Sequence, residues 1–205
     1  VTMDWAVDVL KQEKAGDRIN VETIYYMYSN NDVETLSQTE VTDKEEELSS
    51  GLKWISFKQK FFSYALVSKD SFEDAFVEMR TKTRPSNSRY QKSMSAIIDI
   101  SFDGFNEDNT IGMSYYFGPN DFKELRQYDI NLEKQIPLGG KLVAWINRLV
   151  VIPVFDWLGQ YGWSYGVVIL ILTLIIKICL MPIAFKSYMS SAKMRVLKPE
   201  IEAIN

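Results

Sequence analysis

Tyr165–Ala184 reads YGVVILILTLIIKICLMPIA, twenty residues with a single charge. At about 1.5 Å of rise per residue a helix of this length is about 30 Å long, the thickness of a bilayer's hydrocarbon core. A buried core helix of a soluble domain is the alternative, but such a helix keeps a polar stripe, and here only Thr173 and Lys177 interrupt the apolar surface. The run therefore predicts a transmembrane helix over 163–185. Trp163 and Tyr165 stand at its N-terminal end, where amphipathic rings settle at headgroup level. Lys186, Lys193, Arg195 and Lys198 follow its C-terminal end with no acid before Glu200. The positive-inside rule then puts that end in the cytoplasm and everything before the span outside, which in a double-membraned bacterium is the periplasm.

Charge divides the chain in the same place. Residues 1–140 carry 16 Lys+Arg against 24 Asp+Glu, a net of -8, and residues 141–205 carry 7 against 3, a net of +4. With 46% hydrophobic and 24% charged residues, disordered and collagen-like chains are excluded. There is no His, which removes the commonest general base and metal ligand. One cysteine, Cys179, permits neither an internal disulfide nor a multi-thiolate zinc site. The chain starts at Val1 without an initiator Met or a signal-peptide pattern and stops at Asn205 within a charged, helix-like stretch. A piece of a longer protein is expected.

The part before the span alternates with the period of strands. Val21–Tyr28 is rich in branched and aromatic residues. In Lys53–Val67, Trp54, Ser56, Lys58 and Lys60 oppose Ile55, Phe57, Gln59 and Phe61, enough for one bent strand or two. Ile98, Ile100 and Phe102 share a face within Ala96–Phe102, as do Ile111, Met113, Tyr115 and Phe117 within Ile111–Phe117. The turn residues Gly104–Asn109 between them predict a hairpin. After Pro119, a short helix is expected with Asn120 or Asp121 as cap and Glu124 at capping-box spacing. The fold class is mainly antiparallel β, followed by helical membrane segments. Asn30–Ser50, with Asp43–Glu47 as DKEEE, lacks calcium-loop spacing and is expected to be a solvated loop. Tyr25, Tyr26, Tyr28, Phe61, Phe62, Tyr64, Tyr115, Tyr116 and Phe117 are expected in the core rather than on a ligand platform. No phosphate loop, nucleophile elbow or nucleic-acid-binding face is present. No catalytic residue, metal or cofactor is expected.

Leu142–Leu158 is too short to span and is interrupted by Arg148, Pro153 and Asp156, yet it is mostly apolar and includes Trp145 and Trp157. It suits a helix over 141–160 lying in the outer interface and bent at Pro153; a helix that only caps the soluble domain is the alternative. Lys177 stands about 8 residues, roughly 12 Å of helix, before Phe185. Its side chain of about 6 Å does not bring the ammonium fully to the interface. A mid-membrane charge costs on the order of 2.5–3.5 kcal/mol, so Lys177 is expected to face a protein interior or a wet cavity made with other helices. Partial snorkelling with local bilayer thinning is the competing reading. Pro182 is expected to loosen or kink the helix. Residues 186–205 have the pattern of a basic amphipathic helix near the membrane surface.

Trp163–Ile204 reads WSYGVVILILTLIIKICLMPIAFKSYMSSAKMRVLKPEIEAI and contains the pattern SxAKMxxLxPxI over Ser190–Ile201. This segment resembles the first core span and the start of the cytoplasmic helical hairpin of the YidC membrane-protein insertases. KWISFKQKFF at Lys53–Phe62 and YYFGPND at Tyr115–Asp121 are similar, more loosely, to segments of that family's large periplasmic domain. The resemblance implies a periplasmic β-supersandwich over 1–140, an interfacial helix, a span and the start of a hairpin over 186–205. It also implies a non-enzymatic insertase of the bacterial inner membrane, with no cofactor. Its partners would be nascent membrane proteins, the lipid bilayer, the Sec translocon with its accessory subunits, and the ribosome, without nucleic-acid binding of its own. The family's groove residue is commonly Arg, and the matching position here is Lys177, which keeps the charge and loses the planar fork. Trp145, Arg148 and Trp157 fall on the interfacial helix, and Lys186, Lys193, Arg195 and Lys198 on the hairpin. The rival reading is a membrane-tethered periplasmic module that binds carbohydrate or docks a partner, in which the span is a passive anchor with no use for Lys177.

Overall fold

The computed structural model describes residues 1–10, 22–36, 43–80, 89–100 and 112–202. They fall into two units, Val1–Ile136 and Pro137–Asn205. The first is built on β1 (Thr2–Leu10), β2 (Thr23–Tyr28), β3 (Val33–Thr35), β4 (Lys44–Lys58), β5 (Phe62–Arg80), β6 (Tyr90–Asp99) and β7 (Met113–Pro119). All pairings are antiparallel. The strand order is β1-β6-β5-β4-β2-β3, with β7 also on β5. The mainly-β class read from the sequence therefore holds.

The β4–β5 hairpin organises this unit because each of its strands serves two neighbourhoods. Near its turn, β4 pairs with β2 and residues Phe62–Ser68 of β5 pair with β7, giving a near limb. Farther along, Lys44–Ser49 pairs with Asp74–Met79, and Asp74–Arg80 takes β6, which takes β1, giving a far limb. Between the limbs the register of β4 shifts on either side of Leu52. Gly51 sits there at φ +70° and Ser71 at φ 76°, and the Ser29 hydroxyl lies 3.1 Å from Gly51 O and 3.2 Å from Ser71 Oγ. The left-handed backbone favours glycine there, and a Cβ on Gly51 would stand 2.8 Å from Ser29 Oγ, displacing that hydroxyl.

The bend folds the sheet over, and the inner faces of its limbs meet. Ile24, Tyr26, Ile55, Phe57 and Leu66 of the near limb pack with Val9, Leu48, Val77, Met79, Met94, Ala96 and Ile98 of the far limb. Trp5 of β1 stacks on Phe57 at 4.1 Å between ring centroids. The other face of the near limb carries Tyr25, Met27, Trp54, Ala65 and Tyr116. It is covered by Leu125 of the short helix α1 (Phe122–Arg126) and by Leu132 of a 3-10 turn. Trp54 Nε1 donates to Ile130 O at 2.8 Å and Ser56 Oγ to Gln135 Oε1 at 2.9 Å, tying this cover to the sheet. A strand buried on both faces has no polar alternation to keep, which is why β2 reads TIYYMY.

Several expectations change. Asn30–Ser50 is not a solvated loop throughout: Val33–Thr35 is β3 and Lys44–Ser49 begins β4. There Leu48 enters the core and Glu46 accepts a hydrogen bond from Tyr26 Oη at 3.0 Å. The strands holding Ile98 and Tyr115 do not pair with each other. Both pair with β5, at separate registers, because β5 is 19 residues long. The turn Gly104–Asn109, Phe102 and Ile111 lie outside the described residues. Tyr25, Tyr26 and Tyr116 are core, whereas Phe61, Phe62, Tyr115 and Phe117 are about half exposed or more. The helix cap is as expected, Asp121 Oδ1 accepting from the backbone N–H of Lys123 and Glu124 at 2.9 Å. β1 was not expected, although Met3, Trp5, Val7 and Val9 alternate with Asp4, Ala6 and Asp8.

Candidate functional site

In the second unit the described residues are helical from Lys141 to Glu202 except for one tight turn. α2 (Lys141–Ile146) passes through one π turn, Asn147–Val151, into α3 (Ile152–Gly159). Pro153 explains the π turn. Its ring nitrogen has no hydrogen to give the carbonyl four residues back, and the wider i→i+5 pattern, seen as Ile152 N–H donating to Asn147 O, accommodates the missing bond. The Asn147 side chain donates to Leu138 O at 2.9 Å and anchors the helix start. Val143, Trp145, Ile146, Leu149, Val150 and Trp157 are exposed. At about 3.6 residues per turn they share one broad side of the helix. α3 packs on α4 (Tyr165–Glu202), and Leu158 of α3 and Val168 and Leu172 of α4 are buried.

The turn between α3 and α4 carries an aromatic lip. Trp157 and Tyr161 meet edge to face at 5.3 Å, Tyr161 and Trp163 lie 5.6 Å apart, and Phe155 stacks with Tyr165 at 6.2 Å. Gly162, at φ +68°, makes the turn. Sequence reasoning named Trp157, Trp163 and Tyr165 but missed Tyr161, whose signal was its spacing of four from Trp157.

α4 is one helix of 38 residues. At about 1.5 Å per residue it is about 57 Å long, well beyond a bilayer's hydrocarbon. Tyr165–Pro182 is its apolar window, long enough to cross a membrane and almost uncovered. Thr173 Oγ1 donates to Ile169 O at 2.7 Å, so its hydroxyl needs no outside acceptor. Lys177 is exposed in the same window, and among the described residues it has no hydrogen-bond or ion-pair partner. Lys186 and Lys193 are exposed farther along, and Arg195 and Lys198 continue the same helix. Arg148 is exposed within the π turn. The predicted residues thus lie on two packed helical segments: Trp145, Arg148 and Trp157 on the first, and Lys177 followed by the basic series on α4.

The β unit holds charge that the strand pattern did not announce. Lys58 and Lys92 are buried near Glu22, and Lys92 Nζ donates to Glu22 O at 2.8 Å. Burial pulls both ammonium groups below the usual lysine range, opposed by the Glu22 charge. In a strand, alternating lysines read as solvent-facing, so nothing in the sequence separated these two from exposed ones. Burial next to the Glu46 carboxylate pushes the Tyr26 phenol up. Burial, with Tyr128 and Glu124 nearby, pushes Tyr116 up to about 12.

Residues 3–153 match the family described as YidC periplasmic domain, and residues 157–205 match the family described as 60Kd inner membrane protein. The chain is 39% identical over 212 residues to a membrane protein insertase YidC of Parabacteroides distasonis, covering 98% of this chain and 32% of that relative. A relative of the same description from Bacteroides fragilis is 39% identical, covering 100% of this chain and 34% of its own length. One from Porphyromonas gingivalis is 36% identical, covering 99% and 33%. The chain spans about a third of the length of these curated relatives.

Proposed function

This chain belongs to the YidC family, and we propose that it is part of an insertase that moves nascent membrane proteins into the bacterial inner membrane. In this reading residues 1–140 stand in the periplasm as part of a β-supersandwich, 141–160 brace the outer interface, 163–185 cross the bilayer, and 186–205 open the cytoplasmic hairpin. The activity is non-enzymatic. It works on nascent chains delivered by the ribosome, alone or together with the Sec translocon.

One observation supports the mechanism: Lys177, without a hydrogen-bond or ion-pair partner among the described residues, is the single charge on an apolar, almost uncovered span. A lone charge there costs on the order of 2.5–3.5 kcal/mol by insertion scales, a cost that is offset when other helices of the same polypeptide enclose it with water. Such a half-depth wet groove shortens the dry path that a substrate's polar tail must cross. Its fixed positive charge lowers the cost for acidic tails. The substrate's own hydrophobic segment then moves into lipid, and burial of that segment drives the step. Lys186, Lys193, Arg195 and Lys198 give the receiving end a positive field for acidic nascent segments. Trp145 and Trp157 anchor the outer helix, and Arg148 keeps its head at the wet boundary.

The test uses the full-length protein and a reporter with an acidic translocated tail. Lys177→Arg is expected to support insertion, and Lys177→Ala to reduce it several-fold at normal protein levels. Equal insertion by Lys177→Ala and wild type overturns the groove reading and favours a passive tether.

A further inference from the structure

The turn between β4 and β5 is made of residues that solvated turns seldom use. Gly, Asn, Asp, Ser and Pro dominate such turns, whereas Gln59–Phe62 reads QKFF. Phe61 is 50% and Phe62 49% exposed. The backbone of the tip is closed from within. Gln59 N–H donates to Phe62 O at 2.8 Å. Asn120, directly after β7, donates its backbone N–H to Phe61 O at 2.8 Å and its side-chain amide to Gln59 O at 2.7 Å, while its Oδ1 accepts from the Ser63 hydroxyl. Three carbonyls of the turn are thus satisfied inside the protein. The exposed part of the tip is two phenyl rings beside the Lys60 ammonium, which lies 5.6 Å from the Phe61 ring centre. The chain leaves this unit at the same end of the near limb. Gln135, the last residue but one of the unit, is bonded to Ser56 of β4, three residues before Gln59, which is about 10 Å along an extended strand.

We propose that the β4–β5 tip is a second membrane-surface contact: Phe61 and Phe62 enter the headgroup–acyl boundary of the periplasmic leaflet, and Lys60 meets lipid phosphate. The proposal rests on the reading that residues 141–160 lie in that same interface. The bilayer is favoured over a protein partner by the tether, since the step from Ile136 to Lys141, where α2 begins, spans at most about 18 Å. A turn entering this boundary loses water from its backbone, so its carbonyls need partners of their own; Asn120 and Gln59 supply them. The rings then gain by leaving water. Lys60 keeps its stem along the apolar surface and its charge at the wet, anionic layer. Exposed rings next to a cation on a hydrogen-bonded turn suit a lipid surface better than they suit bulk water.

The test places the full-length protein in vesicles of phosphatidylethanolamine with phosphatidylglycerol. A fluorophore is attached at Phe61→Cys, Trp145→Cys or Glu47→Cys, each in a background without other cysteines; Glu47 is an exposed strand position in the other limb. A nitroxide carried on the lipid just below the headgroup is expected to quench the label at 61 at least about three-fold more than the label at 47, and aqueous iodide is expected to do the reverse. Lipid quenching at 145 but not at 61 overturns the tip contact and leaves the interfacial helix standing. Lipid quenching at neither position overturns both. A label at 61 that neither lipid nor iodide reaches is covered by protein, which also overturns the proposal. Wild-type protein in vesicles containing a photoreactive lipid tests the same point without a variant. Lipid adducts are expected on the peptide holding Phe61 and Phe62, and adducts around Trp145 with none on that peptide would sink the idea.

Discussion

Replacing Trp54 by Phe probes how the helical cover is held to the sheet. The indole is fully buried and its Nε1–H donates to Ile130 O at 2.8 Å. Trp54→Phe leaves that carbonyl without its donor, about 1–3 kcal/mol for a partly buried group. The smaller ring adds about 1 kcal/mol through lost packing. Much of this falls locally, because the bond joins β4 to the segment between α1 and the 3-10 turn. A local loss of ~2 kcal/mol speeds exchange by about 30-fold, at 1.4 kcal/mol per tenfold. Hydrogen exchange read by mass spectrometry is therefore expected to speed by about that factor over 122–136, while the amides of β6, in the other limb, change little. Unchanged exchange over 122–136 would refute the view that this hydrogen bond closes the cover.

Ser56→Ala removes the second tie, to Gln135 Oε1, and is expected to cost about 1–2 kcal/mol in chemical denaturation; combined with Trp54→Phe, it should show coupling in a double-mutant cycle. Pro153→Ala restores an N–H where the π turn lacks one, so the turn is expected to relax toward α-helix and rotate Trp157 relative to Trp145; a cysteine crosslinking scan against α4 that keeps its wild-type pattern would contradict this. Tyr116 is held protonated up to about pH 12 in the folded state but ionises near 10 when unfolded. The folded state binds the extra proton between those values, so stability falls as pH rises from about 10, and Tyr116→Phe is expected to flatten part of that fall in an alkaline unfolding series. Lys58 has the opposite sign. Its folded value is lowered, so the unfolded state binds more protons just below about pH 10.4, and wild-type stability relative to Lys58→Met is expected to rise with pH through that window.

Legibility in the sequence followed how local the determining physics is. The span, the aromatic residues at its start and the Asp121 cap depend on nearby residues and were readable directly. The near-limb strands were readable because they are apolar on at least one face. β1 was missed although its alternation is regular, since two aspartates in nine residues look like a polar loop until the partner strand is known. The pairing of β6 and β7 was misassigned because adjacency in sequence favours a hairpin, whereas the length of β5 offers each strand a separate register. Lys58 and Lys92 were unreadable for a related reason: their burial is set by how the sandwich closes around Glu22, which no local pattern encodes.

In the proposed groove the charge of residue 177 acts on the charge of the substrate's tail. The direct measurement is a charge-swap insertion assay in the full-length protein, pairing wild type and Lys177→Glu with reporters that differ only in an acidic, neutral or basic translocated tail. With the proposed groove, Lys177→Glu is expected to depress insertion of the acidic tail most, the neutral tail less, and the basic tail least or not at all. Equal depression of all three tails, or none, would contradict it.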